Sequence, residues 1–598
     1  MTWAVAAAYT LSRLDLGWFP TDAGTLGHAA ERVLRGELPH RDYADVYTGG
    51  LAFFDALAFR LLGVGIMSMR WGAFAVFLAW VPAFWYVALR LSGPWIAALT
   101  TLLASMWTLP VYAEGMPSWF NLWLATFGVA ALVRYGERPR PAWLVLAGVA
   151  GGLSVLVKVV GLYYLGAGLL YLLLVESRAR EGPSDGAPSR DRGYRMTVAV
   201  GLSLSSLVLV WLVVRGMGLR HLFLYGAAPI AGVLAYTPLV WSPSGRSAAL
   251  RFRTLLALVG PYALGALAPI AAFSVPYALT GSLGDLAAGV FSLPARRLDA
   301  VRMIGPAGAW YYMILAAGVV ALLVRPPDPR TRIGKIVGVI ALGALLTLVM
   351  ASAGDRVYVL GFRTLLWLPP LVGVAAAAVV VRRGPRRVPL LTLASSVFGL
   401  TSLVQVPFAA PVYFFYSAPL LLLVALGSLG SRTGPGRGWL PVTLVAFLAF
   451  TVLRLNTGFS LDLGFRYRPD LNSEQLVLQR AMGVRVSAED KRDYEGVVEL
   501  VGRLDPGPTI YAGPDCPEIY FLTGRANPTP TFYELLDVGE GTGQALLLST
   551  LDRERVRAIV VRPDPLFSAP LDTDLLAELE RRYPAARQVG RFLVAWAP

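Results

Sequence analysis

Stretches of about fifteen residues with almost no charge recur along this chain and limit its fold more than any other feature. The clearest are residues 143–157, 202–214, 336–350 and 390–404. At ~1.5 Å per residue, each is near the length needed to cross about 30 Å of hydrocarbon as a helix. In lipid only helices and closed barrels satisfy their own backbone groups, and continuous apolar runs exclude the alternation of a barrel strand. The chain therefore reads as an all-α polytopic membrane bundle over most of its length. Composition agrees: 56% of the 598 residues are hydrophobic and 15% charged, well below the ~25% charged of soluble chains.

The net charge of +15 is distributed as topology rather than as a nucleic-acid surface. Arginines cluster in every second loop, at 134–140, 178–195, 246–253, 325–335 and 382–387. That is the positive-inside pattern, and it assigns these loops to the cytoplasm. The expected partner is the lipid bilayer, with no nucleic acid. The single cysteine, Cys516, excludes an intramolecular disulfide and any Cys-rich metal site. Fifty arginines against three lysines suggest a GC-rich, bacterial genome, hence the inner (plasma) membrane.

Hydropathy predicts helices near 66–90, 94–112, 118–134, 142–158, 160–176, 196–214, 224–240, 254–279, 307–324, 336–351, 364–381, 388–404, 413–429 and 439–455. With a first span at the N-terminus the total is about 13–15, with the N-terminus inside and the C-terminus outside. Residues 1–11 are too short to cross alone. They read as a late start or a clipped gene model, the first helix beginning upstream. From residue 456 charges return. Predicted helices at 490–503, 517–522, 544–555 and 573–582, with strands at 509–512, 558–561 and 589–596, make 456–598 an α/β domain outside the cytoplasm. The Gly-rich piece 539–543 reads as a loop.

Residues 15–65 form a long external segment. Two amphipathic stretches, 25–38 and 51–62, have the rhythm of helices lying in the membrane interface. The sequence runs Phe19-Pro20-Thr21-Asp22-Ala23-Gly24, then Gly36-Glu37-Leu38-Pro39-His40-Arg41-Asp42-Tyr43, then Tyr47-Thr48-Gly49-Gly50. An acid just outside the first helix, followed by two interfacial helices, resembles the GT-C superfamily of membrane glycosyltransferases, in particular the protein mannosyltransferase and aminoarabinose transferase type. The stretch 148–162, a Gly-rich helix followed by Lys158 between two spans, and the run 514–528 in the external domain resemble it too. The resemblance implies a transmembrane transferase domain over 1–455. It implies a polyprenyl-phosphate sugar donor, a glycan, lipid or protein acceptor, and inversion at the anomeric carbon. Two departures stand out. Asp22 is followed by Ala23 where the family often has a second acid, and Tyr47-Thr48-Gly49-Gly50 replaces a frequent Lys-Pro-Pro turn.

The residue types fit such chemistry. A carboxylate at the membrane surface can act as base toward an acceptor, and Asp22 is the candidate; its bland alternative is the N-cap of a helix starting near Gly24. A departing lipid phosphate needs cations. Candidate substrate-binding residues are Asp42, Tyr47, Lys158, Arg296, Arg297 and Arg302. For Lys158 snorkelling is the alternative, and for the arginines, placed in an external loop 280–306, a solvated rim. For Asp42 and Asp45 the alternative is a solvated loop carboxylate. His28 and His40 flank the acidic segment, but two ligands without a third leave the expectation at no metal and no cofactor, a divalent ion held with Asp22 or Asp42 being the minor alternative. Trp107, Tyr112 and Trp119 read as interface-belt aromatics. The competing functions are a lipid or saccharide transporter or flippase, against which stands the near absence of acids and histidines within the spans, and a non-catalytic scaffold.

Overall fold

The computed structural model describes residues 1–179, 191–241, 244–300, 312–318, 363–430, 439–452, 472–533 and 542–597. Its helices are α1 Thr2–Leu11, α2 Pro20–Leu34, α3 Gly50–Leu62, α4 Ile66–Leu91, α5 Pro94–Met106, α6 Pro117–Glu137, α7 Pro141–Val157, α8 Gly161–Ser177, α9 Arg192–Met217, α10 Leu222–Leu234, α11 Pro238–Trp241, α12 Ala248–Leu279 and α13 Leu283–Ala300. There follow α14 Leu368–Arg383, α15 Pro389–Thr401, α16 Pro411–Phe415, α17 Ala418–Gly430 and α18 Trp439–Phe450. Many open with proline in the first turn (Pro20, Pro94, Pro117, Pro141, Pro389), where the missing N–H costs nothing. Among the described residues, α4, α9, the stretch 219–241 and α12 are long and apolar enough to cross a bilayer. Their flanks carry Leu207 at 65% and Leu256 at 69% exposure, a surface that hydrocarbon, not water, would cover.

Several expected spans differ from the observed helices. The helix expected at 94–112 stops at Met106, and the following loop turns into the molecule. The expected 224–240 splits into α10 and α11, and 413–429 into α16 and α17. The span expected at 254 begins at Ala248. The expected span 336–351 lies outside the described residues, as does most of 307–324, of which 312–318 is helical. The expected domain boundary at 455 and residues 539–541 also lie outside them.

Small residues set how closely the bundle packs. A Cβ at Gly148 would lie 2.0 Å from the Tyr262 carbonyl oxygen, and one at Gly152 2.2 Å from that of Ala266. So α7 and α12 touch backbone to backbone, the close approach that replaces hydrophobic driving force in lipid. This contact fixes the end of α7, where Lys158 sits.

A buried ionic cluster ties α8, α9 and α12 at their other end. Glu176 accepts from Arg246 at 2.5 Å and Arg251 at 2.8 Å, and from the Tyr194 hydroxyl at 3.0 Å. Asp191 accepts from Arg251 at 2.9 Å and Arg195 at 3.0 Å. Arg246 and Arg251, expected in a short cytoplasmic loop, are both buried, because Glu176 and Asp191 neutralise them.

The C-terminal domain carries a two-stranded ribbon, β1 Glu474–Gln475 with β2 Arg485–Val486, and a four-stranded sheet. The latter comprises β3 Tyr511–Gly513, β4 Ala558–Val561, β5 Ala585–Val589 and β6 Phe592–Trp596, in the order β3-β4-β6-β5. Only the β3–β4 pair is parallel. Helices α19 Ala488–Leu504, α20 Pro517–Thr523, α21 Thr542–Arg553 and α22 Thr573–Arg582 accompany it.

This domain clamps α2 and the residues just before it. The expectation that α2 lies on the bilayer surface is corrected: it is buried along most of its length. A Cβ at Gly24 would lie 2.2 Å from the Cα of Glu518 on α20. Glu31 pairs with Arg480 at 2.6 Å. Gly17 donates to Arg485 and Arg485 to Asp15, like a strand pair. The amphipathic pattern of α2 was real, but its polar face meets protein partners instead of headgroups. By contrast α3 leaves Leu57 and Leu61 exposed, as an interfacial helix should.

Candidate active site

Pro20 starts α2 with Phe19 as N-cap, which puts Asp22 in the first helical turn. No side chain caps this end, so the capping alternative for Asp22 is not what the structure contains. Instead its Oδ2 accepts a 2.5 Å hydrogen bond from the Tyr112 hydroxyl. A carboxylate in a first turn also gains from the helix dipole. Asp22 is half-buried. Burial pushes its pKa up to about 7; the Tyr112 bond opposes this, the Glu114 charge adds to it, and Lys158 opposes it.

Tyr112 comes from the loop 107–116, whose first part, 107–112, falls in the expected span 94–112. Tyr112, Trp107 and Trp119 are each at most 1% exposed. They wall the site and are not interface belts. The Trp119 indole N–H holds the Tyr112 carbonyl at 3.1 Å, and its ring meets Tyr416 edge-on at 4.5 Å. Glu114, two residues on, is fully paired: Arg70 donates to it at 2.6 Å and also to the Leu14 and Gly17 carbonyls. Both charges are buried. Glu114 and Arg70 escaped the sequence reading. Their signals were an acid in a short loop between apolar helices, and an arginine within the apolar run of α4.

Lys158 ends α7 at a break before α8. Its Nζ donates to Ser118 Oγ at 3.2 Å and lies over the rings of Tyr47, at 5.7 Å, and Tyr413, at 5.4 Å. The structure thus brings together three of the candidates: Asp22, Lys158 and Tyr47. Asp45 supports the last, accepting from the Tyr47 N–H at 2.8 Å.

Other candidates lie elsewhere. Asp42 pairs with Arg41 at 2.6 Å and accepts from the Leu38 N–H at 2.7 Å, which holds the 38–42 turn. Arg296 and Arg297 fall on α13 and not in a loop, because 283–300 continues as helix. Their side chains, and Arg302 altogether, are outside the described residues. His28 stacks on Tyr520 at 5.3 Å against the C-terminal domain. Among the described residues no three histidine, cysteine or carboxylate side chains group as a metal site.

No family model matches the chain, and no curated protein matches it. Among solved structures it is similar to apo ArnT from Cupriavidus metallidurans, at 17% identity and TM-score 0.38, over 99% of this chain and 96% of that one. The same enzyme bound to undecaprenyl phosphate gives 14% and 0.35, over 99% and 97%. A third is the archaeal oligosaccharyltransferase AglB from Archaeoglobus fulgidus, in complex with an inhibitory peptide and a dolichol-phosphate. It gives 12% and 0.43, over 100% of this chain and 74% of that one. ArnT and AglB are GT-C membrane glycosyltransferases. Likeness at this level does not transfer a function, which has to be argued from this chain's own residues.

Proposed function

We propose that this chain is a glycosyltransferase that moves a sugar from a polyprenyl-phosphate-linked donor to an acceptor on the outer face of the membrane. The observation that supports it most is Asp22. This half-buried carboxylate, with a pKa near 7, is held by Tyr112 within electrostatic reach of Lys158. A base poised near working pH is what acceptor activation requires. Ionised Asp22 takes the proton of an acceptor hydroxyl or amine as that atom bonds to the anomeric carbon. The anomeric carbon–oxygen bond to phosphate breaks, its electron pair stays on the phosphate oxygen, and Lys158 stabilises the charge that develops there. A single displacement of this kind inverts the anomeric centre. Tyr47 and Tyr413 keep the Lys158 ammonium in place between turnovers.

The test uses the purified full-length protein in detergent with a radiolabelled polyprenyl-phosphate sugar and an envelope extract as acceptor. Asp22→Asn should lower transfer by about 10²–10⁴-fold with the melting temperature kept. Transfer at the normal rate by this variant would remove Asp22 as the base.

A further inference from the structure

We propose that the groove between the C-terminal end of α2 and the external domain is a second binding site, for an anionic saccharide. The groove has a volume of about 710 Å³, within the range of small-molecule sites. Three arginines line it, Arg35, Arg480 and Arg525, alongside Gln479 and Thr523.

Two of the three are fixed before any ligand arrives. Arg480 is held through one nitrogen, Nη1, by Glu31 at 2.6 Å and by the Phe521 carbonyl at 2.8 Å. Its Nε and Nη2 engage no acceptor among the described residues. Arg525 is held by the Gly507 carbonyl at 2.7 Å and by Asp505 at 3.1 Å. Arg35 is exposed and has no acidic partner within ion-pair distance among the described residues. Fixed guanidinium forks suit carboxylate or phosphate oxygens and lose little freedom on binding.

The rest of the lining favours a sugar as the carrier of that charge. Leu478, Val498, Pro508 and Leu522 give an apolar floor, which suits the C–H face of a pyranose, while Gln479 and Thr523 can meet its hydroxyls. Position separates this groove from the donor. Arg35 lies thirteen residues beyond Asp22, along and just past α2, so roughly 20 Å away at 1.5 Å per residue. A lipid phosphate held by Lys158 cannot also reach Arg35. The negatively charged, non-reacting part of an extended acceptor can. Naming the ligand as acceptor rests on the transfer reading above; the binding itself does not.

The experiment measures binding to the full-length protein in detergent by calorimetry at low salt. The probes are tetragalacturonate, maltotetraose as its neutral counterpart, and inorganic phosphate. Tetragalacturonate should bind at least tenfold more tightly than either of the others. Arg35→Ala, an exposed change that leaves the fold alone, and Arg35→Ala with Arg525→Ala should each weaken it, the double variant by tenfold or more. Asp22→Asn should bind as wild type does. Equal binding of the charged and neutral sugars, or no binding, would overturn the proposal. Phosphate binding as well as tetragalacturonate would remove the saccharide from it, and wild-type affinity in the double variant would remove the groove. Because Asp22→Asn separates binding from transfer, failure of the groove and failure of the base are read apart.

Discussion

The two ends of α8 handle buried charge in opposite ways. At one end Glu176 and Asp191 accept from Arg246, Arg251 and Arg195, with a tyrosine hydroxyl added. Each carboxylate there is matched by guanidinium. At the other end Arg70 is spent on Glu114, and Asp22 is left with a phenol and a more distant ammonium. Full neutralisation suits charges that only hold helices together, since a buried charge without a partner is strongly unfavourable. Incomplete neutralisation keeps a proton exchangeable. On the reading proposed above, the contrast is one between carboxylates that hold helices together and one that does chemistry.

Substitution can break this contrast. The largest effect should come from Asp22→Asn, in activity and not in stability, as described above. Next is Glu176→Gln, which strands Arg246 and leaves Arg251 with Asp191 alone. It should cost about 3–5 kcal/mol, read as a lower melting temperature in detergent, with activity per folded molecule retained. Equal stability of the Glu176→Gln variant and wild type would erase the distinction between the clusters.

Tyr112→Phe should act more gently, through the loss of one hydrogen bond to a charged group, about 1.5–3 kcal/mol. Asp22 works as a base only when ionised, so kcat/KM should rise with pH through about 7. Without the Tyr112 hydroxyl the carboxylate is less stabilised, so that limb moves to higher pH. A limb that stays in place would show that the bond does not tune the base.

The smallest effect concerns Glu518, a buried carboxyl of α20 that accepts from the Tyr494 hydroxyl at 3.1 Å. Burial pushes its pKa from 4.5 up to about 7. Below 4.5 it is protonated both folded and unfolded. Between 4.5 and about 7 the unfolded chain releases the proton while the folded one keeps it, so stability falls as pH rises through this window. Glu518→Gln should flatten part of that slope in melting temperatures taken from pH 4.5 to 8. An unchanged slope would assign it to other groups, Asp22 included.

Much of this was legible in the sequence because membrane spans obey a simple rule of length and polarity. The helices α4, α6, α7 and α8 follow it closely, and strand 558–561 and helix 573–582 of the C-terminal domain match their expected bounds to the residue. Lys158 stood out because a cation between two spans is conspicuous, and Asp22 because of its position after the first apolar stretch. The site walls were hidden for a physical reason. Tyr112 and Trp119 near helix ends look like interfacial aromatics, and nothing local says that the 107–116 loop folds inward instead of meeting headgroups. Strand β5, Ala585–Val589, has no alternating pattern, and is a strand only because β6 pairs with it. The burial of α2 was illegible too, since an amphipathic helix against protein and one against lipid have the same periodicity.

The clasp between α2 and α20 has a mechanical consequence. With Gly24 seated against the backbone of Glu518, the helix that carries Asp22 has no slack on its outer side. A tilt of the C-terminal domain, passed through this contact, would reach Asp22 within one turn of the same helix. On the reading proposed above, the C-terminal domain is a handle on the chemistry, and a chain trimmed of it would lose the backing of Asp22.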